Sequence, residues 1–127
     1  MFHYTVETNK SIDEAISSLE ESLSAEKFGV LWSFNVKDKL QEKGLDFQQD
    51  YRILEVCNPH EAERVLSQNN LVGYFLPCKI VVYDDHGTTK IGMPKPSELI
   101  SMVEDEGLKE LAVDIEKRLI GCIDKSI

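Results

Sequence analysis

The chain has 127 residues, and its 14 Lys and Arg against 23 Asp and Glu give a formal net charge of −9. A length of this order predicts one domain with a single core, and the acidic balance disfavours nucleic acids and anionic membranes as partners. The start of the chain lacks a basic region followed by an apolar run, and no apolar stretch approaches the roughly 20 residues of a membrane span, so we expect neither a signal peptide nor a transmembrane helix.

The chain begins with a pattern typical of a strand followed by a helix. Residues 2–7 alternate between apolar and polar side chains, which is the period of a strand. Ser11 and Glu14 then form a capping box, in which each side chain can bond to the backbone N–H of the other. Apolar residues recur at helical spacing over 12–27, and Gly29 closes the predicted helix because it tolerates a left-handed conformation.

Two further strands flank a short polar helix. Residues 30–36 alternate and predict the second strand, and residues 51–58 predict the third. Pro59 follows, and proline at the first helical position loses no hydrogen bond because that N–H has no partner within a helix. With Asn58 as its N-cap, this proline predicts a third helix that ends near residues 69–70.

The second half of the chain predicts a β-hairpin and two helices. The run 74–84 is the longest β-rich segment, and Gly87 in the sequence Asp-His-Gly predicts a tight turn into a strand over 88–93. Pro77 inside the first of these strands predicts a bulge or a sheet edge, because proline cannot donate to a strand ladder. A short helix follows, and helical spacing of apolar residues over 108–125 predicts a long final helix.

This order of elements predicts an α+β fold. We expect a two-layer sandwich, with a mainly antiparallel five-stranded sheet and helices packed on one face. We also expect residues 1–127 to form a single domain in which 106–127 are a C-terminal helical extension.

The cysteine count bears on the cellular compartment. Cys57, Cys78 and Cys122 are an odd number and cannot all pair within one chain. Without a secretion signal, we expect reduced thiols in a cytoplasmic protein. Cys122 falls on the apolar stripe of the final helix and is predicted to belong to the core.

Five residues form the candidate site: Glu55, Cys57, Asn58, His60 and Cys78. Alternation puts Glu55 and Cys57 on one face of the third strand, where a buried carboxylate without a partner would be costly. Cys57 also precedes the positive end of the third helix, and such a field favours a thiolate. If the fourth strand lies beside the third, Cys78 comes close to Cys57, with Glu55 and His60 at the rim of a two-thiol pocket.

Three interpretations of this group stay open. The thiols can be small buried apolar groups, as free cysteines usually are. Cys57 can be an activated thiol or a redox partner of Cys78, although the chain has no C-x-x-C motif. The two cysteines can also hold a metal such as zinc together with His60 or Glu55, although zinc ligands usually come in close pairs along the chain.

Two motifs resemble those of a known family. The segments Leu-Glu-Val-Cys-Asn-Pro at 54–59 and Leu-Pro-Cys-Lys-Ile-Val-Val-Tyr at 76–83, with the capped first helix, resemble the family called domain of unknown function 302. The resemblance extends to about residue 104, and the final helix looks like an addition to the family pattern. The resemblance implies a compact α+β domain with a mainly antiparallel sheet, often dimeric, and it implies no activity.

The sequence therefore favours a small soluble domain that binds a small molecule or a metal at the Cys57/Cys78 site and forms a homodimer. The first alternative is a thiol-dependent redox protein or enzyme that uses Cys57, and the second is a structural module that binds a partner protein. The sequence leaves open whether the protein is an enzyme and which cofactor it would use, because it contains no P-loop, GxGxxG, HExxH or GxSxG motif.

Overall fold

The computed structural model describes residues 1–127. The strands are β1 (His3–Thr8), β2 (Gly29–Asn35), β3 (Tyr51–Cys57), β4 (Cys78–Asp85) and β5 (Thr88–Pro94). The α-helices are α1 (Ile12–Ala25), α2 (Val36–Glu42), α3 (Pro59–Gln68), α4 (Pro96–Ile100) and α5 (Glu106–Asp124), and a 3-10 helix covers Asn70–Phe75.

All five strands belong to one sheet in the order β1-β5-β4-β3-β2, and every neighbouring pair is antiparallel. The predicted α+β fold is confirmed. The strands β3 and β4 are neighbours in the interior of the sheet, so the segments that carry Cys57 and Cys78 lie side by side.

The hydrophobic core lies on one face of the sheet. The fully buried strand residues share this face by alternation: Leu54, Val56, Ile80, Val82, Ile91 and Met93. The helix α1 packs on this face through its own stripe, and α5 buries six residues there: Leu108, Ala112, Ile115, Leu119, Cys122 and Ile123. Burial of one large aliphatic side chain contributes about 1.5–3 kcal/mol, so α5 supplies a large share of the core.

The opposite side of the sheet, here called the open face, has no fully buried side chain. One row across the strands consists of Phe34, Ile53, Val81 and Gly92. The row on one side of it holds Trp32, Glu55 and Lys79, and the row on the other side holds Tyr51, Tyr83 and Lys90. Apart from Gly92, which is buried and has no side chain, all of these residues are half-buried or exposed.

The chain between α3 and β4 differs from the prediction. The β-rich run was expected to start at Tyr74, but the 3-10 helix continues to Phe75 and β4 begins only at Cys78. The peptide bond between Leu76 and Pro77 is cis, and Pro77 lies outside the ladder. The expectation of a bulge or an edge at Pro77 is wrong, because a residue without an N–H is placed before an interior strand rather than within it.

Two left-handed turns follow different sequence signals. The hairpin between β4 and β5 uses His86 (φ 52°) and Gly87 (φ 95°), which confirms the predicted turn. After α1, however, the left-handed residue is Lys27 (φ 65°), and Gly29 already belongs to β2. The prediction that Gly29 closes α1 is therefore wrong, because the N–H of Phe28 already bonds to the carbonyl of the last helical turn at 2.9 Å.

Candidate functional site

Asn58 is a structural residue at the junction of β3 and α3, where only 5% of it is exposed. Its Oδ1 accepts hydrogen bonds from the backbone N–H groups of His60 and Glu61, at 3.0 and 3.3 Å, which confirms the predicted N-cap. Its Nδ2 donates to the carbonyl of Glu26 at 3.3 Å and so ties α3 to the end of α1. Because Asn58 binds these helix donors, they do not serve the sulfur of Cys57.

The two cysteines differ in position although their strands are neighbours. Cys78 pairs directly with Val56, so it lies on the face that the helices cover. Alternation along β3 places Cys57 and Glu55 on the opposite face. Both thiols are free, and both residues line a second, smaller pocket of about 20 Å³.

Burial raises the pKa of both thiols. For Cys57 the cause is desolvation alone. For Cys78 desolvation is the larger cause and the charge of a neighbouring Cys57 thiolate is the smaller one, and together they raise the pKa of Cys78 to about 11. An activated cysteine needs a lowered pKa, so these environments act against thiolate formation.

The remaining predicted residues do not complete a ligand set around the sulfurs. His60 is exposed on the first turn of α3, and Glu55 is half-buried on β3. No group of three or more His, Cys, Asp or Glu side chains converges anywhere in the chain in a way that could hold a metal ion. The structure therefore does not assemble the zinc site that Cys57, Cys78 and His60 or Glu55 would form.

A cavity of about 320 Å³ lies beside Cys78, between the end of the sheet and the helices. Its lining has 18 residues, of which 13 are hydrophobic and two, Glu55 and Lys79, are charged. The 3-10 helix and the segment that leads into β4 contribute Phe75 and Leu76 to one wall. The opposite wall comes from α4 and α5, with Cys78 and Met93 of the sheet between the two walls.

The cavity has an apolar end and a polar end. On the helix side it reaches Leu108, Ala112 and Leu119, which are buried in the core. Toward solvent it is lined by Lys79 and by Tyr74, which is 85% exposed. This arrangement is typical of sites for small molecules, which are mostly apolar with a few polar groups that fix orientation.

Comparison with known proteins bears on the whole chain. A family profile described as "Domain of unknown function DUF302" matches residues 4–126. The chain belongs to the DUF302 family.

One solved DUF302 structure is very similar. The crystal structure of an uncharacterized conserved DUF302 protein from Bacillus stearothermophilus is 63% identical in sequence, and the similarity covers 100% of this chain and 99% of that one, with a TM-score of 0.98. No curated protein sequence matches the chain significantly.

The DUF302 match extends further than the motifs in the sequence suggested. It continues past residue 104 to residue 126 and thus includes α5, which the sequence presented as an addition. The helix α5 supplies both core residues and cavity residues, so it is an integral part of the packed domain and not an addition to it. No helix of this DUF302 domain is long and apolar enough to cross a membrane.

Sequence reasoning found part of the cavity of this DUF302 domain and missed the rest. Of the five predicted residues, Glu55 and Cys78 line the cavity, whereas Cys57, Asn58 and His60 do not. The residues of α4, α5 and the 3-10 helix were missed, because their apolar spacing is the same whether they face a core or a cavity. The Leu-Pro-Cys motif at 76–78 is the one motif whose residues all line the cavity.

Proposed function

We propose that this DUF302 domain binds a small, mainly apolar molecule in the cavity beside Cys78. The volume of about 320 Å³ is the observation that carries the proposal, because small-molecule sites usually measure about 300 to 1,000 Å³. The apolar lining favours a ligand that gains from leaving water. If each non-hydrogen atom needs about the 30 Å³ of a liquid water molecule, the cavity accepts about ten such atoms.

The cavity favours binding over thiol chemistry as the function. The thiol of Cys78 faces an apolar space and stays protonated at neutral pH, since its pKa is raised to about 11. A neutral thiol is a weak nucleophile, but as a small apolar group it can pack against an apolar ligand. The alternative of a redox protein or enzyme based on Cys57 finds no comparable support, because the pKa of Cys57 is also raised.

The test uses 1-octanol as the probe and isothermal titration calorimetry as the measurement. In Ala112→Leu a larger side chain projects from α5 toward the cavity, and we expect octanol to bind at least tenfold more weakly to this variant than to the wild type. Val113→Leu enlarges the neighbouring residue of the same helix, which is 53% exposed, and should leave binding unchanged.

The stability of the variants decides how the result is interpreted. Circular dichroism melting should give similar Tm values for both variants. If Ala112→Leu does not fold, Leu99→Trp fills the cavity from α4 instead. The proposal fails if octanol does not bind to the wild type, or if it binds equally to a well-folded cavity-filling variant.

We also propose that the chain forms a homodimer through the open face of the sheet. This face carries two stacked aromatic pairs, Trp32 with Phe34 at 5.1 Å and Tyr51 with Tyr83 at 5.2 Å between ring centroids. Trp32 is 50% exposed, which is unusual for so large an apolar side chain on a monomer surface.

Charge and area both favour a second copy as the occupant of the open face. The chain carries −9 overall, yet Glu55 lies opposite Lys79, and Lys90 lies opposite Glu7 and bonds to Asp85 at 2.6 Å, so most charges on this face have a partner of opposite sign. Five strands about 4.8 Å apart and about seven residues long give a flat area of about 500 Å² per copy. Two copies would then bury about 1,000 Å² in total, the lower limit for a specific interface.

The dimer is tested by placing a charge at the centre of the open face. Val81→Lys introduces an ammonium group into the central row, and we expect the dimer to dissociate at least tenfold more readily in analytical ultracentrifugation. Val113→Lys makes the same change on the outer side of α5 and should leave the mass unchanged. A monomeric wild type, or a Val81→Lys dimer of unchanged stability, would contradict the proposal.

The cytoplasm is the compartment that we propose. The chain has three unpaired cysteines, of which Cys122 is buried and the other two are partly buried. Free thiols persist in a reducing environment and are uncommon in oxidising ones. Expression of a tagged chain followed by cell fractionation would test this directly.

A further inference from the structure

The apolar part of the cavity beside Cys78 is elongated along α5. Four residues of this helix line it, at successive spacings that keep them on one face: Leu108, Ala112, Ile115 and Leu119. Positions 108 and 119 are eleven residues apart, which is about 16 Å along the helix axis at about 1.5 Å per residue. The cavity therefore follows α5 over about three helical turns.

The helix α3 also borders the cavity and is antiparallel to α5. Arg118 of α5 donates to Glu61 in the first turn of α3 at 2.9 Å. Gln68, at the end of α3, donates to Asp105, the N-cap of α5, at 3.1 Å. Contacts at both ends keep the two helices side by side, and Val65 between these contacts lines the cavity.

The helix α4 follows α5 in the same way. Its first turn lies beside Glu116, which accepts hydrogen bonds from the N–H and the Oγ of Ser97 at 3.0 and 2.6 Å. From there the chain returns to the start of α5 at Glu106, and on the way Leu99 and Ile100 line the cavity. The apolar part of the cavity is thus a slot whose long axis is parallel to α5.

The dimensions of this slot fit one chain of carbon atoms. A volume of about 320 Å³ spread over about 16 Å gives a mean cross-section of about 20 Å² and a width of about 4.5 Å. Apolar groups in contact lie about 4.0–4.5 Å apart, so a slot of this width admits a single alkyl chain. Extended 1-octanol is about 10 Å long, at about 1.2 Å per bond, and fits within the length of the slot.

The small side chain of Ala112 keeps the slot continuous. The other members of the α5 row are Leu108, Ile115 and Leu119, which have large side chains, whereas Ala112 contributes one methyl group. Ala112 is 3% exposed, so the space beside its methyl group belongs to the interior. A longer side chain at this position would project into the slot between its two ends.

We infer that the ligand is an unbranched aliphatic chain of about eight to ten non-hydrogen atoms that lies along α5, and that Ala112 determines the chain length that fits. The inference rests on the proposed cavity function and specifies the shape of its ligand. A cyclic molecule with the same number of carbon atoms is wider than the slot and is rejected by it.

The test on the wild-type protein compares alcohols by isothermal titration calorimetry. The affinity should increase about fourfold for each CH₂ group added from 1-butanol through 1-hexanol to 1-octanol, because each added group leaves water. The increase from 1-octanol to 1-decanol should be less than twofold in total, because the slot is then full. Cyclooctanol should bind at least fivefold more weakly than 1-hexanol, although it has two more carbon atoms.

The variant Ala112→Val tests the role of Ala112. It should bind 1-butanol within twofold of the wild type, but 1-octanol no more tightly than 1-hexanol, because the added methyl groups shorten the free part of the slot. Val113→Leu enlarges an exposed residue of the same helix and should give the wild-type series. Circular dichroism melting verifies that both variants fold. If Ala112→Val does not fold, Ala112→Cys replaces it and should at least halve the ratio of the octanol affinity to the hexanol affinity.

The outcomes distinguish this inference from the cavity function on which it rests. If no alcohol binds to the wild type, the cavity function itself is wrong. If the alcohols bind, but cyclooctanol binds as tightly as 1-hexanol or the fourfold increase continues to 1-decanol, only the linear shape of the ligand is wrong. An equal loss of affinity for all chain lengths in Ala112→Val would overturn the role of Ala112.

Discussion

At the scale of single residues, Asn58 combines two structural contacts in one side chain. Its oxygen caps the first turn of α3, and its nitrogen bonds to the carbonyl of Glu26 at the end of α1. Two of the three residues of the Cys-Asn-Pro motif thus have a local structural role, because Asn58 caps α3 and Pro59 occupies its first position. A conspicuous motif beside a cysteine is in this case chiefly a folding signal.

We predict that Asn58→Ala lowers the free energy of unfolding by about 1–2 kcal/mol, because it removes a helix cap at a buried position. Asn58→Ser keeps an oxygen for the cap but loses the donor to Glu26, so its stability should lie between those of Asn58→Ala and the wild type. Urea denaturation followed by circular dichroism measures both. Equal stability of Asn58→Ala and wild type would show that the cap contributes nothing here.

The cysteines show what sequence can predict about a site and what it cannot. The sequence states a condition: Cys57 and Cys78 can come close only if β3 and β4 are neighbours. In the structure the two strands are neighbours. The face that each sulfur occupies depends on register: Val56, not Cys57, lies opposite Cys78. A shift by one residue would reverse this, and no local sequence feature determines it.

At the scale of elements, signals confined to a few residues predicted the structure well. The capping box at Ser11 and Glu14, the cap at Asn58 and the turn at Gly87 all form as the sequence indicates. Each depends on hydrogen bonds or backbone angles within three or four residues. These elements need no information from the rest of the chain.

The 3-10 helix Asn70–Phe75 was not predictable in the same way. Its last residues, Tyr74 and Phe75, have the aromatic character typical of strands, and they continue without a break toward β4. The segment starts from a cap at Asn69, whose side chain accepts from the N–H of Leu71 at 2.9 Å. Its curvature brings Phe75 to the cavity wall, a role that depends on distant helices.

At the scale of the whole molecule, several groups hold their protons more tightly in the folded state than in the unfolded state. Burial raises the pKa of Cys78 to about 11 from an ordinary value of 9.0. A hydrogen bond to Asp124 raises the pKa of Tyr4, and one to Asp85 raises the pKa of Lys90. A raised pKa contributes stability below the unfolded value, and that contribution disappears as the pH increases through the folded value.

We therefore predict that the free energy of unfolding falls between pH 9 and pH 11. The unfolded chain releases the Cys78 proton near pH 9, whereas the folded chain holds it to about pH 11, which amounts to a loss on the order of 2 kcal/mol. Cys78→Ala lacks this proton, so its stability should decrease less steeply over the same interval even if its stability at pH 7 is lower. Urea denaturation at pH 7, 9, 10 and 11 gives the slopes. Cys57→Ala removes a less buried thiol, so the slope of its stability against pH should lie between the slopes of the wild type and Cys78→Ala. Parallel curves for Cys78→Ala and wild type would mean that water reaches the Cys78 sulfur in the folded protein, and that the cavity beside it is wetter than its apolar lining indicates.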